Sequence, residues 1–140
     1  MAKPIENDDC CFCCGMDNSE GLHLRFAYPQ PGEAETELTV PERFSGWRSL
    51  THGGFLSMLL DEAMAHACIR SGGEGPARNG VTAEMTVRFL KPVETGTQIR
   101  VVAKVAETKG RLLFTQGWIY APDGTLLTEG KARFLSVNAE

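Results

Sequence analysis

The segment from Thr51 to Glu62, THGGFLSMLLDE, brings together residue types that act on carbonyl groups. Gly53 and Gly54 open an apolar run with helical periodicity, so the unpaired N–H groups of a helix N-terminus lie beside residues without side chains. A ligand oxygen can approach such N–H groups closely, and their partial positive charge stabilises a developing oxyanion. A carboxylate that attacks the carbonyl or activates water would complete a minimal acyl hydrolase.

The helical run contains two adjacent acids, and helical geometry separates them. At about 100° per residue, Glu62 falls on the same stripe as His66 and Arg70, with consecutive members four residues apart. This stripe is predicted to be solvent-exposed. Asp61 faces the apolar side of the helix, where a carboxylate is costly unless it has a partner or a function. Asp61 is therefore the candidate acid, and a satisfied structural acid is the alternative.

Gly53 and Asp61 lie too far apart on one helix to act on one carbonyl group. At 1.5 Å per residue they are about 12 Å apart along the helix axis. Two antiparallel helices across a dimer axis would bring Gly53 of one chain to Asp61 of the other. The sequence therefore predicts a homodimer, and a homotetramer made by pairing dimers stays open.

The composition indicates one globular domain without a nucleic-acid partner. The chain has 140 residues, of which 42% are apolar and 23% are charged. Its net charge of −4 argues against binding nucleic acid, because there is no basic excess to displace counterions from phosphates. No segment is typical of a signal peptide or long and apolar enough to cross a bilayer. A cytoplasmic protein with no membrane partner is the expectation.

The order of predicted elements indicates an α+β fold. Residues 1–20 are polar and rich in cysteine and are predicted to form an irregular arm, and residues 21–140 form the domain. The periodicity of the apolar residues predicts, in order, a strand at 21–28, its hairpin partner at 34–40, a helix from about 53 to 71, a glycine-rich loop at 71–80, and strands at 81–89, 99–105, 112–121 and 126–137. A single apolar helix needs cover, and one curled antiparallel sheet can supply it.

Three segments of the chain resemble one protein family. HGGFLSMLLDEAMAHA, GVTAEMTVRFLKPVETGT and the N-terminal CFCCGMDNSEGLHLRF are similar to the hotdog-fold acyl-CoA thioesterases of the PaaI-like (phenylacetate-pathway) type. That family has an HGG motif at the start of the central helix and an acid nine residues after the histidine, where this chain has His52 and Asp61. The resemblance extends from about Cys11 to Leu135. It implies the hotdog fold, in which a curled antiparallel sheet wraps one long helix.

The resemblance also implies roles for individual residues at a dimer interface. The backbone N–H of Gly53 would polarise the thioester carbonyl, and Asp61 of the other subunit would act as general base or nucleophile. Thr82 matches a family position that orients water. His52 is expected to support the glycine turn by hydrogen bonding, with a catalytic histidine as the alternative. The polar residue that some members have before HGG is absent or replaced by Arg48, since the segment here is SGWRS.

Further residues are candidates for binding an acyl-CoA substrate. Gly54 leaves room for the ligand, and Met58 contributes to a malleable apolar pocket that does not determine the acyl chain. Arg88 and Lys91 are candidates for contacts with the phosphates of coenzyme A. No metal or redox cofactor is expected, because coenzyme A is part of the substrate. The predicted function is hydrolysis of acyl-CoA thioesters, and a hotdog module that binds acyl-CoA without turnover is the alternative.

The crowded N-terminal cysteines permit a third interpretation. A zinc site through Cys11 and Cys14, with His23 as third ligand, would make this a small metal-binding protein. Structural zinc takes four ligands, and the sequence has no second pair at suitable spacing. The prediction is therefore no metal, and unpaired thiols in a reducing compartment.

Overall fold

The computed structural model describes residues 10–69, 71–72 and 79–137. Its regular elements are, in chain order, β1 (Glu33–Thr39), a 3-10 turn (Glu42–Phe44), α1 (Gly53–Ile69), β2 (Gly80–Phe89), β3 (Gln98–Lys109), β4 (Leu112–Tyr120) and β5 (Leu126–Ser136). The predicted helix and the four strands that follow it are confirmed, each within a few residues of its expected bounds. Within the described ranges, no helix has the length and apolar character needed to cross a lipid bilayer.

The five strands form one antiparallel sheet in the order β1-β3-β4-β5-β2. Tight turns join β3 to β4 and β4 to β5, where Gly110 and Gly124 adopt φ values of 60° and 90° that glycine takes without strain. The helix α1 contacts every strand of the sheet. This is the predicted α+β arrangement, with one long helix wrapped by a curled antiparallel sheet.

Two glycines let α1 approach the sheet closely. Gly117 on β4 and Gly130 on β5 are paired in register. A Cβ added at Gly117 would lie 3.0 Å from Leu60 Cδ2 and 3.3 Å from Met64 Cγ, so the two helix side chains occupy the space that a larger residue would need. Leu60 and Met64 are fully buried. Burying each side chain of this size contributes about 1.5–3 kcal/mol, so the glycines favour tight packing of the helix.

The predicted strand at 21–28 is wrong. The segment contributes only an isolated bridge between Ala27 and Glu35, and the antiparallel partner of β1 is β3. Leu22, Leu24 and Phe26 are at least partly buried, as the pattern predicts, whereas Tyr28 is 36% exposed, and the segment covers the helix instead of joining the sheet. Leu24 is part of the core, and the ring of Phe26 stacks on His66 with 4.0 Å between centroids. Burial of alternate side chains therefore produced a strand-like pattern without a hydrogen-bonded ladder.

The predicted solvent-exposed stripe on α1 is also wrong. The side chains of Glu62 and His66 are 16% and 4% exposed, and they pair at 3.2 Å. Burial raises the pKa of the Glu62 carboxyl, but hydrogen bonds from His66 and Cys14 outweigh burial and hold this pKa below its usual range. The N-terminal segment covers this face, which a helical wheel alone does not reveal. Arg70, the third member of the predicted stripe, lies outside the described residues.

Candidate active site

The start of α1 presents one backbone N–H that is open to a ligand. The ring nitrogen Nδ1 of His52 accepts the N–H of Gly54 at 2.8 Å, and the carbonyl of His52 accepts the N–H of Phe55 at 3.0 Å. The N–H of Gly53 donates no hydrogen bond to any part of the chain that the structure describes. His52 thus holds the glycine turn, in the geometry expected for a supporting residue, and leaves the Gly53 N–H available.

A strained loop precedes the glycines. Arg48 and Ser49 have φ values of 44° and 71°, a conformation that residues with side chains rarely adopt. The carbonyl of Ser49 accepts hydrogen bonds from both the N–H and the hydroxyl of Thr95, at 2.8 and 3.2 Å, which hold the loop in place. Nothing in the local sequence SGWRS signals this conformation, because it depends on Thr95, far along the chain.

Gly53 lines a cavity of about 490 Å³, a size typical of ligand sites. The cavity is mainly apolar, and the residues that line it include Trp47, Leu50, Leu56, Phe89, Leu90 and Lys91. A Cβ added at Gly53 would lie 3.3 Å from Phe89 Cζ, so the ring of Phe89 stands directly over the glycine. Sequence reasoning missed Phe89 and Leu90 as lining residues. The sequence feature that could have identified them is an apolar pair at the end of a strand, immediately before Lys91 and Pro92.

Asp61 lies about two turns further along α1, beside the edge strand β2. The hydroxyl of Thr82 donates to Asp61 Oδ1 at 2.6 Å. The pairing of β2 with β5 shifts register between Thr82 and Glu84, and such a bulge can redirect a side chain. The structure thus brings together two residues that were predicted to share a site. Asp61 was expected in an apolar face with few partners; it is instead half-buried with a hydroxyl donor.

The environment of Asp61 shifts the pKa of its carboxyl group upward. Burial raises the pKa of Asp61 above its ordinary value, the Thr82 hydrogen bond opposes this shift, and the neighbouring Glu62 carboxylate adds to it. Glu62 itself is engaged by His66 and by the thiol of Cys11, which donates to its carboxylate at 3.6 Å. Within the described residues Glu62 has more hydrogen-bond partners than Asp61, so Asp61 stays the candidate acid.

Within one chain, the two halves of the predicted site do not meet. Asp61 and Thr82 do not line the cavity beside Gly53, in line with the separation of about 12 Å expected along the helix axis. Gly54 is exposed and Met58 is half-buried against the core on the same side of α1 as Asp61. A second chain would have to supply the missing half.

The two cations proposed for coenzyme A lie in different places. Lys91 lines the cavity beside Gly53. Arg88 is ion-paired with Glu129 at 3.1 Å and lines a separate cavity of about 230 Å³ with Trp118 and Lys131. The structure therefore brings Lys91 to the candidate oxyanion site and does not bring Arg88 there within one chain.

Comparison with known proteins gives a consistent family. A sequence model described as the thioesterase superfamily matches residues 49–128, which include Gly53, Asp61 and Thr82. Human acyl-coenzyme A thioesterase 13 is 29% identical over 87 residues, which are 61% of this chain and 59% of the relative. The aligned part spans between 23% and 59% of the length of the curated relatives that it matches.

Two solved structures share the fold of this chain. The Escherichia coli PaaI protein from the phenylacetic acid degradation operon superposes with a TM-score of 0.77 over 89% of this chain and 88% of its own, at 20% identity. A hypothetical thioesterase from Streptococcus pneumoniae, solved with coenzyme A, gives a TM-score of 0.75 over 84% and 90%, at 14% identity. At these identities the likeness concerns the fold, and it confirms the predicted hotdog architecture.

Proposed function

Because this chain belongs to the thioesterase superfamily, we propose that it hydrolyses acyl-CoA thioesters to a free acid and coenzyme A. The observation that carries the proposal is Gly53, whose N–H has no partner among the described residues and which lines a mainly apolar cavity of about 490 Å³. The names of similar proteins, an acyl-coenzyme A thioesterase and a thioesterase solved with coenzyme A, support the same substrate class. A cytoplasmic location, without nucleic-acid or membrane partners, belongs to the same proposal.

The active site is shared between two chains in this proposal. β2 has β5 as its one neighbour among the described strands, so its outer edge is open to another strand. Val81 and Phe89 on β2 are 53% and 54% exposed, which is high for large apolar side chains at an unpaired edge. Pairing of this region with a second copy would cover them and place Asp61 of the partner subunit near Gly53. A homodimer is the minimal unit, and a homotetramer of paired dimers is compatible with it.

The chemistry then follows from the two groups. The Gly53 N–H donates to the thioester carbonyl and stabilises the oxyanion that forms on attack. The partner subunit's Asp61, as general base, takes a proton from a water molecule that Thr82 helps to orient, and the water oxygen bonds to the carbonyl carbon. Collapse of the tetrahedral intermediate breaks the carbon–sulfur bond, and Asp61 returns the proton to the departing thiolate. In the alternative route Asp61 attacks the carbonyl carbon directly and the carbon–sulfur bond breaks to release the thiolate. Water then hydrolyses the resulting anhydride to the free acid and the Asp61 carboxylate, and the thiolate takes up a proton that this water releases. Neither route needs a metal or redox cofactor.

A panel of acyl-CoA substrates assayed by release of free thiol tests the function. The proposal expects steady turnover with at least one aryl or medium-chain aliphatic acyl-CoA, because the cavity is apolar and of ligand size. Tight binding of acyl-CoA with no thiol release across the panel would instead identify a non-catalytic binding module. If the protein neither binds acyl-CoA nor releases thiol, both the thioesterase and the binding module are excluded.

Thr82→Val is expected to move the acidic limb of the pH–rate profile to higher pH. The hydrogen bond from Thr82 lowers the pKa of Asp61, and valine removes this donor while keeping a similar shape, so the base loses its charge at a higher pH. Turnover at neutral pH should fall about 10-fold, because water is also less well oriented. Thr82→Ser keeps the hydroxyl and is the matched control. An acidic limb that stays at the same pH in Thr82→Val would show that Thr82 does not influence the pKa of the catalytic base.

A further inference from the structure

We propose that Cys11, Cys14 and Glu62 bind a zinc ion that fastens the N-terminal segment to the central helix. The sulfur atoms of the two cysteines and a carboxylate oxygen of Glu62 all lie within 4.8 Å of one another. These three residues come from parts of the chain separated by about fifty positions, so the tertiary fold assembles the group. Two sulfur ligands and one oxygen ligand are a set that zinc accepts in tetrahedral sites.

The cysteine turn already has the geometry of a metal-binding loop. Cys11 and Cys14 are three residues apart, the spacing at which two cysteines of one turn share a zinc ion. The N–H groups of Cys13 and Cys14 point to the sulfur of Cys11 at 3.3 and 3.5 Å, and the N–H of Gly15 closes the turn on the Cys11 carbonyl at 2.7 Å. Hydrogen bonds to a sulfur ligand from its own turn orient that ligand before the ion arrives.

The carboxylate is oriented in the same manner from the other side. Glu62 Oε2 is 3.2 Å from His66 Nε2, and His66 Nδ1 is 2.7 Å from the Tyr28 hydroxyl. The His66 ring is fixed by stacking on Phe26. Ligating carboxylates in metal sites are held by outer hydrogen bonds of this kind. A water molecule would complete four ligands around zinc.

This site differs from the zinc site that the sequence permitted. His23 was the expected third ligand, but its Nε2 is 2.7 Å from the carbonyl of Asn18 on the exposed side of the segment. Glu62 is the third ligand instead of His23. Glu62 was predicted to lie on a solvent-exposed stripe because a helical wheel gives no information on which segment covers the helix.

A metal would explain how an irregular segment stays packed on the helix. Among the described residues of 10–28, none belongs to a helix or an extended strand, yet Cys13 is 2% exposed and joins the core. Binding free energy of a structural zinc ion is folding free energy, and it is most useful where regular hydrogen bonding is sparse. The zinc ion would therefore act on stability, and none of its three protein ligands is an acyl-transfer group.

Metal analysis of the full-length protein, expressed with added zinc and then desalted, tests the proposal. The parent should retain about one zinc ion per chain. Cys11→Ser, Cys14→Ser and Glu62→Gln should each lower the zinc content strongly. Cys10→Ser is the matched control, because Cys10 neighbours the turn but is not one of the three ligands, and it should keep the metal. Zinc content that is negligible in the parent, or equal in the parent and Cys11→Ser, would overturn the proposal.

Cobalt substitution gives a second readout that does not depend on stability. Co²⁺ added to metal-free, reduced parent protein should produce thiolate-to-cobalt charge-transfer absorption and the intense visible bands of a tetrahedral site, and both should be lost in Cys14→Ser.

Chelation should lower the unfolding temperature of the parent and leave that of Cys14→Ser unchanged. A metal-free parent chain whose intact mass under non-reducing conditions is two hydrogen atoms lighter, with the bond mapped to Cys11 and Cys14 by peptide analysis, would contradict the zinc site.

Discussion

Asp61→Asn is expected to fold at least as stably as the parent at neutral pH and to hydrolyse acyl-CoA slower by a factor on the order of 10² or more. The loss of rate follows because asparagine neither accepts a proton from water nor attacks a carbonyl at this position. Substrate affinity should survive, because Gly53 and the apolar cavity remain intact, so the variant should retain bound acyl-CoA unchanged. Thiol-release rates and equilibrium binding of acyl-CoA on the same samples measure both effects.

The stability of Asp61→Asn should depend on pH with a defined sign. Because burial raises the pKa of Asp61 in the folded chain, its ionised form costs stability at every pH above that raised value. This cost declines as the pH falls through the raised pKa, and it is absent below the pKa of the unfolded chain. The asparagine variant, whose Oδ1 can still accept the Thr82 hydroxyl, should therefore be favoured most at neutral pH. Thermal unfolding should show Asp61→Asn more stable than the parent at pH 7, and this difference should disappear at about pH 3.

Asp123→Asn is the matched control for this substitution. Asp123 lies in the exposed turn between β4 and β5, where its carboxylate accepts the N–H of Thr125 at 2.9 Å, and it should keep full turnover. A well-folded Asp61→Asn with parental activity would end the catalytic role. A variant that is markedly less stable, and inactive only because it unfolds, would assign Asp61 a structural role. Negligible thiol release from both parent and variant would favour the binding module.

Mixing two inactive variants should restore activity if the site is shared between chains. Gly53→Val keeps the backbone N–H but places a branched side chain where the thioester must approach, so its rate should fall by a factor on the order of 10². Phe89, whose ring lies over Gly53, is half-exposed and can move aside, so this variant should fold. In a heterodimer of Gly53→Val with Asp61→Asn, one of the two sites receives the intact Gly53 from one chain and the intact Asp61 from the other.

The expected gain from mixing is large and has a defined size. If chains of a two-fold dimer exchange at random, half of the dimers are mixed and each has one working site, so activity should rise to about a quarter of the parental value. Light scattering should give at least twice the chain mass of 15.3 kDa for the parent and for both variants. Gly72→Val, at a position where an added Cβ meets nothing within 4 Å, is the control for a new valine. A monomeric parent, or no recovery in a verified heterodimer, would exclude the shared site.

The sequence by itself determined the elements and the order of the candidate residues along them. The period of the apolar residues in 53–71 predicts α1, and alternation predicts β2 to β5, because both patterns follow from backbone geometry over a few neighbouring residues. The HGG motif and the spacing from His52 to Asp61 are also local, so Asp61 can be proposed as the catalytic acid without any tertiary contact. The residue types of the turn at Gly124 likewise specify a local conformation.

The tertiary structure decided what covers each face. The segment 21–28 alternates like a strand, but its inward side chains pack on α1, since burial on one side satisfies the same pattern with or without a ladder. Glu62 is polar and lies four residues before His66 on the helix, so the local sequence is compatible with a solvent-exposed side chain. Its contact with Cys11, 51 residues away, instead shields the carboxylate from water. The bond from Thr82 to Asp61 and the position of Arg88 beside Glu129 likewise depend on how distant strands pair. Hydrophobic periodicity reports that a face is buried, and only the path of the whole chain decides which residues bury it.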